Sequence, residues 1–444
     1  MGLLIPVLTE EVLPGDTFMH SASALTRVAP LQHPLMHRVE MRIHTFYVPN
    51  RILWSGWEDY ITGKNDVDPK PTYTTDGSEE VTDYMGIPPK AGLEVDLAPI
   101  QAYNLIWNEF YRDQDLQTER SLDDVTLARC AWQKDYLTVA RPSPQQGDPN
   151  NIPISGEGRI VNQNGTLTSN TDLNLGVNAN DLYYAWDGVD NTETDAMGVL
   201  LDQGYLSIDD LRRSMALQRF AEARMRFGSR YVDYLRYIGV NPSDGRLDRP
   251  EYLGGGKQTL SFSEVLATAE TTEANVGDMY GHGIGMGNQR RYRKNFEEHG
   301  WVLTLLSARP KTVYEDMVPR KFTRTSAMDY WQRELEVLPW QEIKESEVHK
   351  DGDPATIWGY VPRYEEYRHC MSFVSSTLRG GTENDWHMAR EFATPPALNG
   401  SFVECTPTDR VYQDSNMPDL VINVMHDLKA KRFVGSTASM GQNL

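Results

Sequence analysis

The sequence predicts a mainly β fold, an antiparallel sandwich or jelly roll whose connections have been enlarged. Three observations point to it: period-2 alternation near both ends of the chain, helical periodicity confined to stretches between them, and no alternating βαβ rhythm. There is no internal repeat. One domain over 1–444 is expected, although length alone would suit two or three.

The first element is "LIPVLTEEVLPGDTF", residues 4–18. Pro6 favours extended backbone before it, and Pro14-Gly15-Asp16 is a turn signal, so residues 1–20 read as an extended N-terminal arm closed by a turn. An ordinary terminal strand is the alternative. The run is too short and too acidic for a secretory leader. "VEMRIHTFYV", 39–48, sets Val39, Met41, Ile43, Thr45 and Tyr47 on one face and Glu40, Arg42 and His44 on the other, the pattern of a half-buried strand.

Helical spacing follows in "IQAYNLIWNEFYRDQDL", which aligns Ile100, Tyr103, Ile106, Trp107 and Phe110. A second helix begins at a capping box, Ser207 with Asp210, and ends at Gly228. Ser229 caps a third through Val232, Leu235 and Ile238. "WVLTLLS", 301–307, is a nearly continuous apolar run, while "ATIWGYV", 355–361, and "SFVEC", 401–405, are weaker strands. The alternation returns in "PDLVINVMHDLKAKRF", 418–433, through Leu420, Ile422, Val424, His426 and Leu428.

Composition narrows the function. The 39% hydrophobic content suffices for a large core, and no stretch approaches the roughly 18 apolar residues of a membrane span, so a soluble protein is expected. Cys130, Cys370 and Cys405 are odd in number and lack C-x-x-C spacing, which predicts reduced thiols of an intracellular product. A net charge of −20 argues against a dedicated nucleic-acid binder. The charge is uneven, however. Residues 148–206 hold nine acidic residues and one basic residue, Arg159, whereas "RRYRK" at 290–294 is wholly basic apart from its tyrosine.

Catalytic patterns fail on inspection. "GGGKQ", 254–258, lacks the first glycine and the hydroxyl of a P-loop, and reads as a tight turn. "GHGIGMG", 281–287, has spaced glycines but no strand before it, and reads as a flexible loop. His33 with His37, and His369 with His387, lack a third ligand at metal-site spacing, and His44 and His426 read as half-buried structural histidines. "DGVDNTETD", 187–195, lacks the ordered spacing of a calcium loop, and Glu365 with Glu366 says nothing of a cleft. No catalytic residue, metal ligand or cofactor is expected.

Six stretches carry a resemblance: "FYVPNRILWSGWEDYITG" at 46–63, "AYNLIWNEFYRDQDL" at 102–116, "DYLTVARPSPQQG" at 135–147, "SDGRLDRPEYLGGG" at 243–256, "EEHGWVLTLLSARP" at 297–310 and "DLKAKRF" at 427–433. In this order they resemble the major capsid proteins of the Microviridae in their gokushovirus-like branch, small icosahedral bacteriophages with single-stranded DNA. Residues 148–206 and 257–296 match no part of the pattern, and the tail at 434–444 is short and unfamiliar.

The resemblance implies an eight-stranded antiparallel jelly roll of viral capsid type and a structural role with no enzymatic activity. It implies self-assembly of about sixty copies into a T=1 shell around circular single-stranded DNA. The implied partners are an internal scaffolding protein, a small basic DNA-associated protein, a DNA pilot protein and a host cell-surface receptor. Assembly would take place in the bacterial cytoplasm and end in the virion. In such a shell the arm would lie along a neighbour or the inner wall. Tyr47, Trp54, Trp57, Tyr103, Trp107, Phe110 and Tyr111 are candidates for subunit contacts, with core packing as the alternative. Arg290, Arg291, Tyr292, Arg293 and Lys294, with Lys429, Lys431 and Arg432, are candidates for DNA contact, against a solvated charge run or a salt-bridged subunit contact. Residues 148–206 read as an outward protrusion that meets the host, with Tyr183, Tyr184 and Trp186 at its tip. An ordered internal linker is the alternative. The rival class is a carbohydrate-binding or carbohydrate-active jelly roll, which the aromatic content would suit. A nucleotide-dependent enzyme is weakened by the failed glycine loops.

Overall fold

The computed structural model describes residues 1–63, 68–78, 80–147, 155–161, 174–177, 183–186, 198–205, 208–228, 230–270, 276–414 and 416–434. The chain divides into two compact units, Met1–Pro144 with Phe227–Leu444, and Gln145–Arg226.

The first unit is built on two antiparallel sheets. Its principal strands are β1 (Leu4–Val12), β2 (Thr17–Val28), β3 (Val39–Pro49), β4 (Glu251–Thr259), β5 (Ser261–Leu266), β6 (Met279–Asn288), β7 (Tyr292–Asn295), β8 (Gly300–Pro310), β9 (Trp340–Lys344), β10 (Ile357–Pro362) and β11 (Leu420–Lys431). One sheet has the order β1-β8-β3-β4; the other joins β5, β6, β2 and β7, with β11 also on β2. The second sheet has five strands but only four rows, because β6 and β7 pair with successive parts of β2: Asn288 lies opposite Ser23 and Tyr292 opposite His20. Four residue steps on one side face three on the other, which is the geometry of a bulge. Eight rows in two sheets is the jelly-roll arrangement.

The hydrophobic patterns explain themselves in this frame. Between the sheets, Ala24 and Val28 of β2 meet Val39, Met41 and Ile43 of β3 and Leu306 of β8. The first sheet is covered on its other face too. Helix α1 (Ala98–Ile106) and the π-helical turn Trp107–Tyr111 lay Tyr103, Ile106 and Trp107 on Phe46, Val48, Leu303 and Leu305. A strand buried on both faces has no need to alternate, hence the continuous apolar run of β8. β11 half-buries one face only, and alternates over Leu420–Met425. A further cluster, with Tyr314, Ile343, Trp358 and Phe402, fills the connection between β8 and β11 around the β9–β10 pair.

Four expectations are corrected. Residues 1–20 are extended and turn at Pro14-Gly15, with Gly15 at φ +85°, but they are used inside their own sandwich and do not form a separate arm. β1 pairs with β8 along its length, and Leu4 and Val12 are fully buried. "GGGKQ" is not a tight turn but the middle of β4, bulged between Tyr252 and Gly254. "GHGIGMG" is not a loop but β6, whose glycines 281, 283, 285 and 287 are all buried while the residues between them are exposed. A Cβ on Gly256 would strike the Asn288 carbonyl, and one on Gly285 or Gly287 would strike Leu260 or Met41, so the two glycine runs are where the sheets approach most closely. "SFVEC" gives a short helical turn, Gly400–Val403, because the Asn399 side chain accepts from Phe402 N at 3.1 Å and caps it.

In the second unit, Ser155–Val161 pairs with Gly198–Tyr205 and Asn174–Val177 with Tyr183–Trp186. Helix α2 (Ile208–Phe227) follows and Gly228 ends it at φ +113°. The next helix, α3 (Tyr231–Tyr237), belongs to the first unit. The caps expected at Ser207 and Ser229, the acidic loop 187–195 and the tail from 435 onward lie outside the described residues.

Candidate nucleic-acid interface

Among the described residues, the second sheet has one face against the first and one face open. β2 decides which residues go where: its even positions from Phe18 to Val28 are buried and its odd positions face out. Residues paired across an antiparallel ladder share a face. Met19 lies opposite both Arg293 and Lys429, so these three form one transverse row. Thr17 likewise joins Asn295 and Lys431 in the row beside it. Arg291 reaches Asp427 across the same face. The two basic stretches, more than 130 residues apart in sequence, therefore meet on one surface.

Towards the other end this face becomes apolar. Met425 and Met286 stand in the rows of Ser23 and Leu25, and both are well exposed. Arg27, next along, adds a cation between Ile284 and Val421. Among the described residues of the β2, β6, β7 and β11 rows, the face carries five positive charges (Arg27, Arg291, Arg293, Lys429 and Lys431) against Asp427. Such a surface can neutralise phosphates at one end and hold the apolar faces of bases at the other. Arg27 and the two methionines were missed in the sequence. The signal was the alternation of "TFMHSASALTRV", weak because the middle of its buried face is Ala22 and Ala24 and His20 stands among them.

The other nominated residues are placed differently. Tyr292 and Lys294 point to the opposite side of β7: Tyr292 packs edge-on against His20 with ring centroids 5.5 Å apart, and Lys294 pairs with Glu251 at 2.6 Å. Arg432 pairs with buried Asp16 at 3.3 Å and lies over Phe18. Arg290, at the bulge, is exposed. Of the aromatics, Tyr47, Tyr103 and Trp107 are buried in the chain's own core, where Tyr103 Oη donates to the Leu4 carbonyl at 2.7 Å and Trp107 Nε1 to that of Arg129 at 2.8 Å. Trp54, Trp57, Phe110 and Tyr111 are half-buried. Tyr183, Tyr184 and Trp186 lie on a strand in register with 174–177. A different set of large apolar groups is exposed on the connection between β8 and β11, among them Phe322, Trp331, Val337 and Phe373.

The histidines are tied into the fold. His33 Nδ1 meets Asp385 at 2.7 Å, His37 the Lys311 carbonyl at 2.7 Å, His369 Glu365 at 3.0 Å and His387 the Leu378 carbonyl at 2.7 Å. Among the described residues no three His, Cys, Asp or Glu side chains are grouped as a metal would require. No described helix is long and apolar enough to cross a membrane.

Comparison with known proteins agrees with the sequence resemblance. Residues 1–441 match the family described as capsid protein (F protein). The chain is 28% identical to capsid protein VP1 of Chlamydia phage 1, over 97% of this chain and 91% of that one. It is 30% identical to capsid protein VP1 of Bdellovibrio phage phiMH2K, over 94% and 88%. It is 24% identical to that of Spiroplasma virus 4, over 97% and 91%. With the match extending over the whole sandwich and both glycine strands, the chain belongs to the capsid protein (F protein) family of bacteriophages and is a component of the virion.

Proposed function

We propose that this capsid subunit closes into a T=1 icosahedral shell of about sixty copies around circular single-stranded DNA, with the open face of the second sheet turned towards the genome. The observation that carries the reading is the row Arg293, Met19 and Lys429 with its neighbours, a net-positive surface on a chain of net charge −20. A strand with one phosphate per nucleotide is held by such a patch without base specificity. The exposed Phe322, Trp331, Val337 and Phe373 are the large apolar groups suited to contacts between copies. The subunit is structural and carries out no reaction.

Residues 148–206 are assigned to the exterior and to the host receptor. Their nine acidic residues against Arg159 would be repelled by packaged phosphates and are at ease in water and salt. A scaffolding protein during assembly, a small basic protein with the genome, and a pilot protein complete the set of partners. The test is expression in bacteria followed by sedimentation and nuclease digestion. Closed particles that protect single-stranded DNA are expected, and a discrete monomer that protects none would refute the reading.

A further inference from the structure

On the other side of β3 and β8, under the π-helical turn, lies a cavity of about 360 Å³ whose wall carries six cationic side chains and three carboxylates. The carboxylates do not reach all of the positive charge. Asp113 takes Lys134 at 2.5 Å and Arg141 at 2.8 Å. Arg112 pairs with Glu119 at 2.8 Å, while Arg230 has Glu109 only at 3.9 Å. Arg42 and Arg309 remain, on neighbouring strands, Arg42 opposite Ser307 and Arg309 opposite Glu40. Arg42 stands 3.4 Å from Glu40, a carboxylate it shares with Lys257 at 2.8 Å and Arg38 at 3.2 Å.

Arg309 makes no ion pair among the described residues; its Nη1 donates to the Ala131 carbonyl at 2.7 Å. The Nε atoms of both Arg42 and Arg309 are buried without a hydrogen-bond partner. Arg309 is thus half-buried beside Arg42 without an ion pair of its own, an arrangement that a bound anion would stabilise. His44, hydrogen-bonded to Tyr111 Oη at 2.7 Å, adds no charge: burial, then Arg42 and Arg309, lower its pKa to about 4. The cavity is larger than a bare phosphate needs, and the rings of Phe110 and Phe227 line it.

We propose that this cavity binds the phosphate group of a nucleotide between Arg42 and Arg309, with the nucleotide's base against the exposed Phe227 ring. Two planar forks suit a tetrahedral oxyanion, and the exposed Phe227 ring offers a stacking surface, while Phe110 is already covered by Arg249. The nucleotide is either a free nucleoside monophosphate or a unit of a DNA strand; the chemistry is shared, and the site does not depend on the shell reading.

Calorimetric titration of the full-length protein with deoxyadenosine 5′-monophosphate, with deoxyadenosine, and with an oligodeoxynucleotide lacking terminal phosphates separates the sources. Saturable binding of the monophosphate is expected, weakened about tenfold or more by Arg309→Gln and unchanged by Lys350→Gln, at a surface cation paired with Asp316 outside both sites. If Arg309→Gln also weakens the oligonucleotide, the strand is the source; if it weakens the monophosphate alone, the free nucleotide is. Wild-type thermal stability should rise with the monophosphate and not with deoxyadenosine, which decides the matter should the variant fail to fold. Equal responses to the two compounds, or undiminished binding by folded Arg309→Gln, would overturn the proposal.

Discussion

His20 Nε2 lies 3.0 Å from His426 Nδ1, and His426 Nε2 lies 3.0 Å from the carbonyl of Val7. The carbonyl accepts, so His426 carries its proton on Nε2 and its Nδ1 accepts from His20. The chain thus ties β2 and β11 of one sheet to β1 of the other through two neutral imidazoles. His20 is fully buried and its Nδ1 has no partner, so a second proton there has nothing to meet.

Acid should loosen this tie. Burial lowers the His20 pKa to about 4, His426 adds to the effect and Asp427 opposes it; His426 is lowered too, chiefly by burial. For a folded pKa below the unfolded 6.5, the stabilisation is complete above 6.5 and is lost as pH falls towards 4, up to about 3 kcal/mol for His20. Urea unfolding at pH 7 and pH 5 should show a larger loss in the wild type than in His20→Phe. Equal losses would show that His20 is not the group responsible.

The glycine strands make a graded prediction. A Cβ at position 256 meets backbone, the Asn288 carbonyl, whereas at 285 it meets the end of the Leu260 side chain, which can turn away. Gly256→Ala should therefore destabilise by about 1–3 kcal/mol or prevent folding, and Gly285→Ala by less. Denaturation midpoints of the two variants give the order, and the reverse order would contradict the close approach of the sheets.

How far the fold could be read in advance follows from the same strands. β3 alternates because polar Glu40, Arg42 and His44 stand on its outer face before Phe46 and Val48, β11 because only its inner face is half-buried, and β8 was visible as an unbroken apolar run. β6 hid its period by using glycine as its buried residue: Gly281, Gly283, Gly285 and Gly287 keep a strict period of two without any hydrophobicity. β2 hid in the same way behind Ala22 and Ala24. At the candidate interface, the two basic stretches could be named from composition, but the shared row through Met19 requires the register, which no local pattern contains.

The thiols should divide by burial. Cys130 and Cys405 are packed with Trp132, joined where Cys405 N donates to the Cys130 carbonyl at 2.8 Å, while Cys370 is exposed. A thiol reagent should modify Cys370 alone in the native protein and all three cysteines after denaturation without reductant. A single reactive thiol after denaturation would mean that Cys130 and Cys405 are bridged.

The open sheet face should govern the salt dependence of binding. For a single-stranded oligonucleotide, Arg293→Gln with Lys429→Gln should reduce the slope of log K against log salt by about 0.7 for each phosphate contact removed. Lys294→Gln, on the opposite side of β7 and paired with Glu251, should leave it unchanged. An unchanged slope in the double variant, or a slope altered equally by Lys294→Gln, would remove this face from the account.

The most direct measurement is an icosahedral reconstruction of DNA-filled particles. It should show a closed shell of about sixty copies, the β2, β7 and β11 face turned inward with ordered density against Arg293 and Lys429, and residues 148–206 on the outside. An open assembly, or a closed one with that sheet face towards the solvent, would contradict the proposed function.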